Sequence, residues 1–356
     1  MYNTKQHPLV AKRDIIVVKY LRKEGGQIRT PCQGTLVELN KPLVADREKM
    51  QMRKSNSIVY SIEGGAIHAL TVNRDSWWER TTPYKAIIPK GTEYYVDVRG
   101  LCVAARQLVI TDEEIHLETP DQSLVLDLLE QRPIVDGIAV GDFYFKDQGF
   151  MSPLDLTQEI IPKISGVVIG FKDNGDPLIW SGEVSQGKMD TLWDSRFDVF
   201  TSYPEADAEG EKHKEAFLKN YPKFDKVRFE AYAKCMEYKP EIGEWYIPAW
   251  KEQKIMIENL QFIHASAWYT GVNCILPTGW YWTSSEYSSY YCWYVRLDEY
   301  YARSYWYGRG ASGRVCFFLA STNKIPKITI KCLTSEEEKE PVLKKIIKKY
   351  VRKRKA

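Results

Sequence analysis

The sequence predicts an α+β protein: a β-rich N-terminal domain, sandwich-like or barrel-like, then a mixed region with two helices and an antiparallel sheet. Three observations carry this. Between residues 14 and 111, seven short β-branched or aromatic runs alternate with turn residues. Apolar spacings of three and four then mark two helices between 225 and 268. From 279 to 320 the chain returns to β- and loop-like composition and closes on the apolar run 315–320, VCFFLA.

In order, the N-terminal runs are 14–21, 34–39, 57–61, 66–70, 84–89, 93–98 and 106–111. Gly25-Gly26, Pro31, Gly64-Gly65, Pro89 with Gly91, and Gly100 separate them. The leucine spacing of 121–130 fits a short connecting helix. VGDFYF (140–145) and GVVIGF (166–171) read as strands, and Lys172 to Asp176 before PLIWSG is a hairpin signal. Residues 200–225 are polar and acidic around Pro204 and Gly210, which reads as an inserted loop with a short helix.

Asp225 caps the next helix, with Val227, Ala231 and Cys235 on one stripe. A single long helix is expected over 249–268, since Met256, Leu260, Ile263 and Ala267 form one apolar face. The domain boundaries that follow are a tail at 1–13, a β-rich domain at 14–118, a linker at 119–133, a mixed domain at 134–320 with an insertion at about 185–225, and a C-terminal strand and basic tail at 321–356.

At 44% hydrophobic and 27% charged, the 356 residues fit a globular chain rather than a disordered one. No apolar run is long enough to span a bilayer as a helix. The first residues lack the apolar core of a signal peptide, so none is expected. Seven scattered cysteines without CxxC spacing fit neither a disulfide framework nor a zinc knuckle. The net charge of +3 is uneven. Eight Lys or Arg and no acid lie in 341–356, and without them the rest of the chain stands at −5. The body is therefore no general polyanion binder.

Aromatic residues are concentrated. Of 46 in the chain, 15 lie between Trp280 and Phe318. Tyr, Ser, Gly and Arg dominate that segment, a palette of large, rigid contact area and adaptable polar groups. A core needs Leu, Ile and Val, and neither the 288–291 run SSYY nor the 305–310 run YWYGRG holds any. Such a face fits a binding surface. Trp282, Trp293 and Trp306 are expected to be structural. Val295, Leu297 and Trp293 alternate with 294, 296 and 298, the period of a half-buried strand whose odd positions face the core.

Lysine is missing from 255–323 although the chain has 32, and asparagine from 274–322. Both have adenine-rich codons. Randomising the adenines of an AAY codon yields Tyr, Ser, Arg, Gly, Asp, Cys and Ala, but neither Trp nor Lys, and the observed palette fits that output.

These residues resemble the variable region of C-type-lectin-like proteins diversified by diversity-generating retroelements in bacteria and their phages. WTSSEY (282–287) within 280–287 and WYIPA (245–249), followed by a helix with Glu252, carry the resemblance most specifically. RVCFFLA (314–320) resembles the closing strand, although Cys316 and Phe317 replace its usual Arg and Pro. VGDFYF (140–145) with GVVIG (166–170) resembles an earlier strand pair, so the likeness covers about 134–320. It implies a C-type-lectin-like domain with a twisted antiparallel sheet displaying variable side chains. By motif position these are Tyr290, Tyr291, Tyr294, Arg296, Tyr300, Tyr301, Arg303, Tyr305, Tyr307 and Arg309.

The implied function is recognition of a protein or glycan on a cell surface, in a phage virion fibre or receptor-binding component, with a bacterial cytoplasmic protein as the alternative setting. A homodimer or homotrimer and contacts to other virion proteins fit that role. No cofactor and no metal are expected: the segment lacks the Asn, Asp and Glu clusters that hold calcium, and Asp298-Glu299 alone reads as solvated. The same fold family includes formylglycine-generating enzymes, which need a reactive thiol pair, and Cys292 and Cys316 are the candidates for it. Catalysis is not expected, and no catalytic residue is assigned. The five histidines lack HxH or HExxH spacing, and no helix pattern follows the glycines of 308–313. The tail's apolar residues recur every four, so it reads as an amphipathic helix that is solvated or binds nucleic acid, an anionic membrane or an acidic partner.

Overall fold

The computed structural model describes residues 8–54, 60–74, 80–135, 138–145, 149–157, 159, 166–167, 178–179, 210–220, 222–223, 230–237, 245–271, 279–286, 291–297, 302–308, 312–315 and 318–319. The fold is α+β.

The N-terminal part is built from β1 (Leu9–Val10), β2 (Ile15–Glu24), β3 (Gln27–Arg29), β4 (Pro42–Val44), β5 (Gln51–Lys54), β6 (Tyr60–Gly64), β7 (Ile67–Leu70), β8 (Thr81–Ile88), β9 (Glu93–Val96), β10 (Cys102–Ala105) and β11 (Gln107–Glu114). Nine of these form one antiparallel sheet in the order β1-β9-β10-β7-β2-β8-β11-β4, with β3 paired to β2. The central strand β2 pairs with β8 from Ile15↔Ile88 to Arg22↔Thr81 and buries Ile15, Val17, Val18 and Leu21. β5 and β6 form a separate hairpin.

One expectation is corrected here, and one strand was not expected. Residues 34–39 form only one bridge, Arg29↔Leu36, because Gly34 turns back onto Thr30 and the edge strand is β4 instead. β10, with two alanines, carries little strand propensity of its own. A tight turn makes it a strand: Asp97 Oδ1 accepts the amides of Leu101 and Cys102 at 2.6 and 2.9 Å, and Gly100 takes φ +73°.

The remaining elements are α1 (Gln122–Glu130), β12 (Ile134–Val135), β13 (Ile138–Ala139), β14 (Phe143–Phe145), β15 (Gly149–Met151), β16 (Gly166–Val167), β17 (Leu178–Ile179), α2 (Gly210–Asn220), α3 (Glu230–Glu237), β18 (Trp245–Tyr246), α4 (Trp250–Glu258), α5 (Leu260–Thr270), β19 (Gly279–Glu286), β20 (Tyr291–Leu297), β21 (Ala302–Gly308), β22 (Ser312–Val315) and β23 (Phe318–Leu319). The hairpin at 172–176, Asp225 and the tail at 321–356 lie outside the described residues. α2 falls inside the polar insertion.

The long helix expected over 249–268 is two. Asn259 ends α4: its amide bonds back to Met256 and its side chain donates to the Ile255 carbonyl at 2.7 Å, and α5 restarts on its own carbonyl. The expected apolar face persists across the break, with Met256, Leu260, Ile263 and Ala267 all buried. α5 is buried nearly all round and ends on Gly271 in the left-handed conformation.

α1 packs against both β2 and α5. Asp121 caps it by accepting the Ser123 amide at 2.8 Å. Asp127 on its buried face accepts the Tyr94 hydroxyl at 2.5 Å and the Lys12 amide at 2.8 Å. Past α1, the buried Arg132 guanidinium holds Asp142 at 2.6 Å and Ser152 Oγ at 2.9 Å. Buried residues of the large sheet, α1 and α5, together with Tyr281 and Val295, form one contiguous apolar cluster. Full burial of each Leu, Ile or Phe in it stabilises by about 2 kcal/mol.

The C-terminal sheet has the order β17-β22-β19-β20-β21, with β22 parallel to β19 and the other pairings antiparallel. β18 and β23 pair separately, Trp245↔Leu319 and Tyr246↔Phe318.

Candidate functional site

Three adjacent hydroxyls of β19 tie the strand down, one to its neighbour β20 and two to the helices. Thr283 Oγ1 donates to the Trp293 carbonyl of β20 at 2.9 Å. Ser284 Oγ lies 2.8 Å from His213 Nδ1 on α2, and its amide donates to the Pro248 carbonyl at 2.8 Å. Ser285 Oγ accepts the amide of Trp250, the first residue of α4, at 2.8 Å. All three side chains are buried, where an unmade hydrogen bond is costly. The 282–285 run WTSS thus serves as a bracket.

Glu252 makes a second junction. Its carboxylate accepts the Ala249 amide at 2.7 Å, the Tyr246 hydroxyl at 3.0 Å and the Gly210 amide at 3.3 Å. One side chain therefore joins the starts of α2 and α4 to β18. Gly210 is required by this approach: a Cβ there would sit 2.6 Å from the Glu252 carboxylate and 2.7 Å from the Ile247 carbonyl. Lys254 lies over the Trp250 ring at 4.7 Å.

The aromatic rows of the sheet stand on this frame. Trp280 is paired with Arg296, and Arg296 with Arg303; Trp282 is paired with Tyr294, and Tyr294 with Tyr305. The Trp280 indole stacks on the Tyr294 ring with centroids 5.0 Å apart and planes within 12°, and Trp282 meets Tyr294 edge-on at 5.8 Å. Trp280 is 37% exposed, while Tyr294 is 5% exposed.

This corrects the expectation that Tyr294 is displayed. Cys292, Trp293, Tyr294 and Val295 are all buried, so this stretch does not alternate in burial. Strand periodicity sets which side of a sheet a residue occupies, but not what lies over it, and here the Trp280 ring covers Tyr294. Trp282 and Trp293 are buried, in keeping with structural roles. Tyr291, Arg296, Arg303, Tyr305 and Tyr307 have described backbone positions in β20 and β21, with Tyr291 opposite Gly308 and Tyr307 opposite Cys292. Tyr290, Tyr300, Tyr301 and Arg309 lie outside the described residues, as do Cys316, Asp298 and Glu299. Trp280 itself is the exposed ring that the sequence reading did not select; its signal is that it shares a strand parity with Trp282, on either side of the buried Tyr281.

Two of the described thiols, Cys102 and Cys235, are poorly suited to nucleophilic work. Burial pushes the Cys102 thiol up to about 12, with Asp97 adding to the shift, and burial raises Cys235 further. Cys292 is buried. His264 on α5 is depressed to about 4 by burial, and its Nδ1 lies 3.1 Å from the Arg99 carbonyl. Among the described residues no group of three or more His, Cys, Asp or Glu is placed to hold a metal ion, and no helix is long and apolar enough to cross a membrane.

No family model matches the chain, and no curated protein matches it. Among solved structures it is similar to a fimbrial protein from Bacteroides ovatus, at 13% identity and a TM-score of 0.38, over 86% of this chain and 71% of that one. A likeness of that size assigns neither fold nor function.

Proposed function

We propose that the protein recognises an external ligand non-covalently through the sheet β19–β21, with Trp280 as a fixed aromatic contact and the positions of Arg296, Arg303, Tyr305 and Tyr307 in the adjoining rows as adaptable ones. The observation that carries this reading is a part-exposed Trp280 backed by a buried Tyr294, in a sheet whose bracket residues Thr283, Ser284 and Ser285 are each bonded to another element. A rigid aromatic needs little ordering on binding, so more of its contact energy is kept.

On this reading the chain is a C-type-lectin-like variable protein of a diversity-generating retroelement, and a phage fibre or receptor-binding component that meets a glycan or protein on a cell surface. The Tyr, Ser and Arg palette of 287–313 and the missing lysines of 255–323 support it. Sequencing the DNA that flanks the gene tests the diversification. A near-copy of the segment encoding 280–320, differing at adenines, is expected, and its absence overturns that part. Recognition is tested with labelled protein on bacterial cells: Trp280→Ala loses binding while keeping the wild-type melting curve nearly unchanged. Undiminished binding by that variant overturns the assignment of the face.

A further inference from the structure

A cleft of about 340 Å³ opens where the last turn of α5 meets the segment that enters α1, at the lower end of the range of about 300 to 1,000 Å³ typical of small-molecule sites. Trp268 and Tyr269 supply its aromatic surface, Val125 an apolar patch, and Thr119, Asp121 and Gln122 its polar groups. Both aromatics are half-buried: they pack against the apolar core and also line the cleft.

The walls are held from outside the cleft. Trp268 is wedged against Gly100, where a Cβ would come within 2.3 Å of its ring, and it meets the His264 ring edge-on at 5.7 Å. The Asp121 carboxylate is fixed by the amide and hydroxyl of Ser123 at 2.8 and 2.5 Å. The strand exit is tied by the Leu117 amide, which donates to Asn73 Oδ1 at 2.5 Å. A site fixed in this way loses little entropy when a ligand enters.

Charge narrows the ligand class. Among the described lining residues Asp121 is the only carboxylate and none is Lys, Arg or His, which disfavours an anion. It stands at the N-terminus of α1, whose positive end offsets its charge and disfavours a cation. What remains is a neutral molecule with one flat apolar face for the rings and hydroxyls for the acid, amide and hydroxyl.

We propose that this cleft binds a single neutral hexopyranose unit, with its C–H face on Trp268 and Tyr269 and its hydroxyls toward Thr119, Asp121 and Gln122. The site is separate from the sheet face proposed above and does not depend on it.

Saturation-transfer NMR on the full chain tests this, with methyl glucoside, methyl mannoside, methyl galactoside and N-acetylglucosamine as probes at millimolar concentrations. At least one probe is expected to give saturable transfer that is lost in Gln122→Trp and in Thr119→Trp. Both variants fill the cleft from exposed positions, so their melting temperatures stay at the wild-type value. Absence of saturable transfer from all four probes overturns the proposal. So does transfer retained in either variant, or transfer abolished by Trp280→Ala, which assigns the sugar to the sheet instead.

Discussion

The indole of Trp280 and the ring of Tyr294 lie 5.0 Å apart and within 12° of parallel, and only the indole reaches solvent. Residue 294 is therefore a floor, and residue 280 is the surface resting on it. A change at 294 alters the tilt of the tryptophan before it alters any direct contact. Tyr294→Phe keeps the stack and should cost less than about 1 kcal/mol, whereas Tyr294→Ala removes a buried ring and should cost about 3 kcal/mol. Urea denaturation measures both, and a loss of near-ultraviolet circular dichroism in the alanine variant reports the freed indole.

Gly100 should be intolerant of a side chain for two reasons at once. Its φ is +73°, and a Cβ would meet the Trp268 ring at 2.3 Å. Backbone strain and overpacking each cost about 1 to 3 kcal/mol, so Gly100→Ala is expected to lose about 3 kcal/mol. Gly25 has φ +56° but open space around it, and Gly25→Ala should lose about 1 kcal/mol. Equal melting temperatures for the two variants contradict the contact with α5.

Glu252 gathers three donors from two helix starts and a strand. Glu252→Gln leaves one acceptor oxygen and should cost about 1 kcal/mol; Glu252→Ala leaves all three donors to find water and should cost about 2 kcal/mol. Amide exchange at Gly210 and Ala249 should accelerate together in the alanine variant. Acceleration at one site alone rules out a shared clamp.

Strands β2, β7, β8, β9 and β11, and α1, were legible because alternation and turn residues coincide there, as at Pro89 and Gly91 between β8 and β9. β10 was not, since Cys102–Ala105 becomes a strand only through the Asp97 turn and its neighbours on both sides. The break at Asn259 was hidden for a similar reason: the apolar stripe runs straight through it, and only a side-chain hydrogen bond to Ile255 marks the stop. At the candidate site, the motif residues 282–285 were readable as a unit, but the partners His213 and Trp250 lie 71 and 35 residues away. Such long-range pairings leave no local pattern. The burial of Tyr294 was misread because a period of two is silent about a large neighbour folding across the row.

Ser285 tests the bracket directly. Its hydroxyl accepts the amide that opens α4, and both groups are buried. Ser285→Ala leaves that amide unsatisfied and should cost about 2 kcal/mol, while Ser285→Thr keeps the oxygen and should recover part of it. Because the lesion sits between sheet and helix, binding through the Trp280 face should weaken in Ser285→Ala even under conditions where the variant is fully folded. Unaltered binding would separate the bracket from recognition.

Stability against pH should carry the mark of His264. Burial lowers it from 6.5 to about 4, with its Nδ1 set against the Arg99 carbonyl and with Arg99 and Asp97 as the charged groups nearby. The folded protein keeps the ring neutral, whereas an unfolded chain takes up a proton as the pH drops through 6.5. Its contribution is therefore complete above pH 6.5, declines as the solution is acidified, and levels off near pH 4. At about 1.4 kcal/mol for each pH unit of displacement, the full loss is about 3 kcal/mol. His264→Gln keeps a donor for the Arg99 carbonyl but cannot titrate. The difference between its unfolding free energy and that of the wild type should shrink with acid across this window, because only the wild type loses the histidine's share. A difference that stays constant from pH 7 to pH 4 would mean that the ring already shares its proton with solvent in the native state, and that the junction between the Asp97–Cys102 turn and α5 is open.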